Sequence, residues 1–236
     1  MISKELFDRC AALLSFPLPA NAFDVFDFYA SSLVEYNKKV NLTAITEPDE
    51  IVTKHFLDSL LLLNAVDLPT GAAACDVGTG AGFPGMCLAI ARQDLRVTLF
   101  DSVNKKLAFL RFFSREAGIP VEIVTVRAED AGQDPAFRAR FDLCTARAVA
   151  QLNKLAEYCV PLVTLGGVFA PLKTPLSREE AQRGIGAAAN LGANLKERRL
   201  YTLPDGAERE VPIFQKVSLT PSKYPRNAAQ ITKKPL

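Results

Sequence analysis

Tryptophan is missing from this chain of 236 residues, and histidine occurs only once, as His55. A single histidine cannot supply the imidazole clusters on which many zinc sites depend. The five cysteines, Cys10, Cys75, Cys87, Cys144 and Cys159, are odd in number and include no C-x-x-C pair. Neither a structural metal nor a disulfide framework is expected, and the cysteines read as small core residues. No apolar run reaches the ~20 residues that cross a bilayer. The first residues also lack the basic-then-apolar order of a secretory signal. These absences imply a reduced, cytoplasmic protein that does not enter a membrane, and a monomer is expected. An excess of charge is missing too: 28 Lys and Arg face 26 Asp and Glu, for a net +2. A polyanionic partner would have to be met by a local patch rather than by a global field.

Amphipathic patterning is plentiful. Residues 3–15 and 21–37 carry apolar side chains at helical spacing, among them Phe23, Phe26, Leu33 and Val34. A third helix is predicted from Thr46 to about Asn64, with Asp49 in capping-box position and Pro48 in the first turn. After the break at "DLPTG", strand-like and helix-like runs alternate. They are "AAACDV", a helix from Pro84, "RVTLFD", a helix over 103–117, "VEIVTV", "FDLCTA", a helix over 149–159, "GGVFAPLK" and a helix over 177–191. Near-continuous apolar strands alternating with amphipathic helices specify a parallel sheet covered on both faces. "LKERRLYTL" and "EREVPIFQKVSL" adjoin across "PDG", a hairpin signal, so the sheet should end antiparallel. The predicted class is α/β: a doubly wound, mostly parallel, Rossmann-like sheet of seven strands with an N-terminal helical extension. The predicted division is 1–70 helical extension, 71–220 sheet domain and 221–236 basic tail.

"CDVGTGAGFPG", residues 75–85, carries the chemistry. Gly80, Gly82 and Gly85 fit the dinucleotide pattern G-x-G-x-x-G. Asp76, Gly78, Gly80 and Gly82 fit D-x-G-x-G-x-G, the loop of S-adenosylmethionine enzymes. Both place the ligand beyond the carboxyl ends of the strands, at the first strand-to-helix turn. Both also use Asp101, at the end of the second strand, to accept hydrogen bonds from two ribose hydroxyls. Asp76 separates them. It is expected to face the same pocket, where a carboxylate about 5 Å from a pyrophosphate repels it by about 3 kcal/mol at an effective ε of ~20. S-adenosylmethionine has no phosphate and presents a sulfonium and an ammonium, so the methyl donor is favoured. "VRAED" follows the third strand, where the backbone of Ala128 and Glu129 can read an adenine edge. A solvated helix start accounts for that segment equally well.

The fourth strand ends in Thr145-Ala146-Arg147-Ala148, not in the Asp/Asn-Pro-Pro-aromatic motif usual among exocyclic-amine methylases. Cys144 is expected inside the apolar strand, out of reach as a nucleophile for pyrimidine C5. An acceptor that is already nucleophilic fits this set. Guanine N7 has a free lone pair and no proton to lose, so alignment with the sulfonium methyl suffices. Arg147 could hold a carboxylate or a phosphate. The residues alone also accommodate a methyltransferase for a small molecule, or a non-catalytic RNA-binding protein on the same fold.

"EYNKKVNLTAITEPDEIVTKHFLDSL" (35–60), "DVGTGAGFPG" (76–85), "DSVNKKLAFL" (101–110) and "ARAVAQL" (146–152) together resemble the RsmG/GidB family of bacterial small-subunit ribosomal RNA methyltransferases. The resemblance runs through the whole chain. It implies S-adenosylmethionine-dependent methylation of guanine N7 in the 530 loop of 16S RNA, with that RNA or the small subunit as partner. Carried over by position, it implies donor contacts at Gly78, Phe83, Ala128, Glu129 and Arg147, with Arg147 also as the catalytic candidate. His55 shares a helix face with Asp58 and Leu62. As a single residue it reads best as a satisfied helix histidine. In the family context, the "HFLDS" face would close over the donor pocket and shape the guanine site.

The expected RNA footprint is composite. Lys105, Lys106, Arg111 and Arg115 crowd one helix, Lys173 ends the fifth strand, and the tail adds Lys223, Arg226, Lys233 and Lys234. The tail has little apolar content to fold it, so phosphate contact is its expected role. The alternative is that Tyr224 and Pro225 dock it onto the core. Ala229 and Ile231 stand where the family usually has Gly and Pro.

Overall fold

The structure is a computed structural model describing residues 1–236. Its sheet has seven strands: β1 (Ala73–Val77), β2 (Arg96–Asp101), β3 (Glu122–Thr125), β4 (Phe141–Thr145), β5 (Val163–Phe169), β6 (Ala193–Thr202) and β7 (Glu208–Lys216). Their order is β3-β2-β1-β4-β5-β7-β6. β1 to β5 pair in parallel, and β7 pairs antiparallel with both β5 and β6. The predicted class and the terminal hairpin are both present. The chain starts at β1, winds outward to β3 and then crosses back to β4. The switch point therefore lies between β1 and β4, where a doubly wound sheet opens a crevice.

The first helices are α1 (Lys4–Ala11) and α2 (Ala22–Asn37). The predicted third helix differs from expectation in two ways. Thr46 does not cap it: the helix begins at α3 (Pro48–Glu50), with Glu47 in the cap position and no side-chain cap. It is also not α-helical throughout. Ile51–Leu57 is a π-helical segment, followed by α4 (Asp58–Leu60) and α5 (Leu62–Ala65). Hydroxyls reach back to helix carbonyls on both sides of this segment, from Thr53 to Asp49 O at 3.0 Å and from Ser59 to His55 O at 2.6 Å. Such back-bonding bends helices, and π segments gather at functional sites.

The sheet is flanked by α6 (Gly85–Ala91), α7 (Asn104–Ala117), α8 (Ala128–Gln133), α9 (Leu152–Cys159) and α10 (Arg178–Asn190). α9 starts three residues later than the pattern over 149–159 suggests. Ala148 has φ +58°, and Gln151 is extended at the helix start, so 148–151 form a loop at the mouth of β4. The N-terminal helices share one apolar core with α6, α7 and their face of the sheet. Tyr29, fully buried, stacks on Phe56, Phe83, Phe109 and Phe113. Its hydroxyl donates to Ala81 O at 2.6 Å, tying α2 to the glycine loop. The second core, on the other face, packs α9 and α10 and holds Cys75, Cys144 and Cys159 as buried free thiols.

The tail is folded, contrary to the expectation from its composition. α11 (Ala228–Lys233) packs Ile231 at 0% exposure, and Pro225 is buried. No helix is long and apolar enough to cross a membrane.

Candidate functional site

Two cavities flank the end of β4. The first, about 330 Å³, lies beyond the carboxyl ends of β1 to β3. Gly78, Asp101, Ala128 and Glu129 line it, as expected, together with Val149, Lys154, Tyr158 and Thr232. Gly78 has φ +70°, and a Cβ there would lie 2.6 Å from Val149 Cγ2, so only glycine leaves room at this wall. Asp101 is 8% exposed. Its carboxylate accepts the Gly80 N–H at 2.9 Å and the Val103 N–H at 2.8 Å, one on each oxygen. Each oxygen keeps a lone pair for a ribose hydroxyl.

Asp76 requires a correction. It does not face the cavity but is fully buried beneath the loop. Its Oδ2 accepts the Thr79 hydroxyl at 2.7 Å and the Gly85 N–H at 2.9 Å. Gly85 begins α6, so a carboxylate already occupies the helix start that a pyrophosphate would otherwise use. A pyrophosphate would meet an N–H already occupied by Asp76 at this helix start, rather than a carboxylate facing the cavity as expected. Asp76 Oδ1 is the one buried side-chain polar atom without a hydrogen-bond partner. Burial, opposed by these two hydrogen bonds and by the Arg147 charge, raises the carboxyl to about 6. An acidic ribose acceptor, an acidic adenine-side wall at Glu129, and an orphaned carboxylate oxygen under the loop fit a cationic, phosphate-free nucleoside such as S-adenosylmethionine.

Gly80, Gly82 and Phe83 do not line this cavity. Gly80 holds Asp101, while Gly82 lets Leu110 and Tyr29 close in: a Cβ there would lie 2.8 Å from Leu110. Phe83, 5% exposed, serves as a plate beneath the second site. The His55 ring stacks on it at 4.3 Å, and the Arg147 guanidinium lies 5.0 Å above its centroid.

That second cavity, about 480 Å³, is lined by Lys54, His55, Asp58, Arg147, Lys173 and Arg209 among others. Arg147 is not a surface arginine, since its side chain is only 15% exposed. It donates to Asp58 Oδ2 at 2.9 Å, to Lys54 O at 3.1 Å and to His55 Nδ1 at 2.9 Å. Burial, then the neighbouring Arg147 charge, lowers His55 to about 3, so the ring is neutral. With Nδ1 accepting from Arg147, the Nε2–H donates to Thr43 Oγ1 at 2.9 Å. Asp58, 2% exposed, also accepts the Tyr201 hydroxyl at 3.1 Å and pairs with Arg209 at 3.4 Å. Three of Arg147's five N–H groups are thus committed, leaving two for a ligand. The π segment and the start of α4 bring His55 and Asp58 to this point, so His55 is both a satisfied histidine and a wall of the cavity.

The remaining expected RNA contacts separate by partner. Lys105 and Lys106 on α7 make no ion pair, whereas Arg111 is tied to Asn104 Oδ1 and Thr125 Oγ1. Arg115 pairs with Glu116. Lys173 lines the second cavity, paired with Glu180 at 2.8 Å. Lys223 is exposed beside the Tyr224 ring, and Lys233 and Lys234 are exposed and free. Arg226 is the exception. Its guanidinium grips Glu157, a residue at 0% exposure, at 2.8 and 2.6 Å, so it anchors the tail and is not offered to a phosphate.

Sequence reasoning missed Thr43 and Lys54, although both lie in the stretch 35–60. It also missed Tyr201 and Arg209, which carry no local signal because the terminal hairpin delivers them from far along the chain.

The fold and its crevice define a Rossmann-like methyltransferase architecture. Among solved structures, the chain is similar to a methyltransferase from Pyrococcus furiosus, with TM-score 0.56 and 16% identity over 85% of this chain and 100% of that one. It is likewise similar to the 16S rRNA (adenine(1408)-N(1))-methyltransferase from Catenulisporales acidiphilia, with TM-score 0.54 and 16% identity over 64% of this chain and 88% of the other. A [4+2]-cyclase, SpnF, shares the fold at TM-score 0.58 and 12% identity, over 87% of this chain and 100% of that one. The fold alone therefore does not fix the reaction. Sequence does. Residues 23–198 match the model of the GidB family, rRNA small subunit methyltransferase G. A protein of that name from Lactobacillus delbrueckii subsp. bulgaricus is 44% identical over 100% of both chains. Another, from Desulfitobacterium hafniense, is 45% identical over 94% of this chain and 93% of its own. The chain belongs to this family and is a methyltransferase of small-subunit ribosomal RNA.

Proposed function

We propose that the protein transfers the methyl group of S-adenosylmethionine to N7 of one guanine in the 530 loop of 16S ribosomal RNA, acting in the cytoplasm as a monomer on that RNA or the small subunit. The observation that carries this reading is the pair of cavities divided by a single loop. Gly78, Val149 and Ala150 border the first, and Arg147 and Ala148 border the second. In-line transfer needs the sulfonium methyl and N7 to meet in direct contact, and the edge of this loop, which borders both cavities, is where they would meet.

The donor, when bound, supplies an electrophilic methyl on sulfur. Asp101 would hold its ribose, and the backbone of Ala128 and Glu129 would face its adenine. In the acceptor cavity, transfer to N7 requires no general base because no proton leaves that atom. His55, held neutral, does not act as an acid near neutral pH. Its role is to fix Arg147, with Asp58 on the other side. The two uncommitted N–H groups of Arg147 can hold guanine O6 or a phosphate while N7 stays free for attack. Arg147 is assigned the positioning of the acceptor, in keeping with a reaction that depends on in-line approach. Lys54, Lys173 and Arg209 offer positive charge to the flanking phosphates, and Lys105, Lys106, Lys223, Lys233 and Lys234 extend that footprint.

The division into 1–70, 71–220 and 221–236 then has a functional sense. The first part supplies the His55 face of the acceptor site, the second most of the donor site and the Arg147 side of the acceptor site, and the third an outer flank with Thr232 at the donor wall. The test is mass spectrometry of 16S RNA from cells lacking the gene, complemented by wild type or by Arg147→Ala. The expected result is loss of one 7-methylguanine, restored only by wild type. Loss of a methyl on a different base, or no loss at all, would overturn the assignment.

A further inference from the structure

Thr232 lies on the wall of the donor cavity, although it is only a few residues from the end of a segment with few apolar side chains. A helix of six residues such as α11 has no stability of its own in water, so its position depends on what holds it. The hold is extensive. Ile231 is fully buried. Arg226 places its backbone N–H and its guanidinium on Glu157 of α9. Asn153, also on α9, donates to the Leu236 carbonyl at 2.9 Å. Upstream, Arg138 donates to the carbonyls of Thr220 and Tyr224 at 2.9 and 2.7 Å, and Gln133 donates to that of Pro225 at 2.8 Å. Lys216, 2% exposed, bonds both Leu191 O and the Thr220 hydroxyl. α9 is the shared element. Asn153 and Glu157 grip the segment, while Lys154 and Tyr158 of the same helix face the donor cavity.

We propose that residues 220–236 form a strap completing the donor site, with Thr232 as its contact wall, so that strap docking and donor binding stabilise each other. The inference rests on the first cavity being the S-adenosylmethionine site. Coupling of this kind is reciprocal: whatever factor docking adds to donor affinity, the donor returns to docking.

The test uses the full chain and S-adenosylhomocysteine as probe, with calorimetry for affinity and hydrogen exchange for residues 226–236. Saturating probe should slow exchange of those amides in wild type by at least threefold. Thr232→Trp, which fills the cavity wall, should raise Kd at least tenfold with an unchanged melting temperature in the absence of probe. Thr232→Ser should stay within twofold of wild type. Glu157→Gln should raise Kd three- to tenfold and speed exchange of the strap. If that variant does not fold, the Thr232 pair and the wild-type exchange decide alone. A Thr232→Trp Kd within twofold of wild type, or strap exchange indifferent to the probe, overturns the strap. Wild type that binds no probe at all overturns the donor assignment itself, a separate outcome.

Discussion

Because His55 is the chain's one histidine, its state can be read from the pH dependence of stability. Burial and the Arg147 charge hold it at about 3, against an ordinary value of 6.5. Between those values the unfolded chain binds a proton that the folded chain refuses, so stability falls as pH falls. From pH 6.5 to pH 5 this loss is about 1.6 kcal/mol. Asp76 acts in the opposite sense. Its carboxyl, at about 6 against an ordinary 3.8, takes up a proton in the folded state before the unfolded one does. Over the same interval that adds about 1.2 kcal/mol. The two contributions nearly cancel, so wild type should show an almost level profile. His55→Gln removes the imidazole and leaves Asp76, so its stability should rise by about 1.2 kcal/mol on going from pH 6.5 to pH 5. For a chain of this size, 1 kcal/mol corresponds to about 2 to 4 °C, so the two melting curves should diverge by roughly 3 to 6 °C across the interval. Thermal melts at matched ionic strength and half-unit pH steps make the comparison, and only the change with pH matters. Parallel curves would refute the buried, neutral His55 and with it the hydrogen-bond assignment around Arg147.

Arg147→Ala should fold, because Asp58 keeps Tyr201 and Arg209, but methyl transfer to small subunits should fall by about 10²–10³, the usual effect of losing one preorganised donor; near-normal turnover at saturating substrate would make Arg147 structural. Replacing Lys223, Lys233 and Lys234 together by Gln should flatten the slope of log K against log salt for RNA binding by about 2, since each phosphate contact to a single strand contributes about 0.7. Arg226→Ala should instead lower the melting temperature and leave that slope unchanged. Gly85→Ala should cost about 1–3 kcal/mol, because its Cβ would lie 2.7 Å from Asp76 Cβ in a packed interior. Gly186→Ala, in α10 with nothing within 4 Å, should stabilise by about 0.5–1 kcal/mol. Chemical denaturation of the pair checks both signs.

The amino-acid sequence by itself determined the alternation of strands and helices, the antiparallel end of the sheet, the glycine loop, and the place of Asp101 and Gly78 at the strand ends, where they line the first cavity. These are local matters: period, turn chemistry, and a loop whose ligand must sit at the first strand end. It also placed His55 and Asp58 on one face, since three residues along a helix return to the same side. The tertiary structure alone decided what that face meets. Lys54, His55 and Asp58 gather around Arg147 some ninety residues further on, and Tyr201 and Arg209 come from the terminal hairpin. No local pattern encodes a contact across such separations. The tail shows the same limit. Its composition, read in isolation, gives no reason to fold, because its partners are Glu157, Arg138 and Asn153, carried by other elements. Asp76 shows it on the smallest scale. Its identity as an acid beside the loop was visible in the sequence, but whether it faced a ligand or the first N–H of α6 depended on how closely that helix packs against β1.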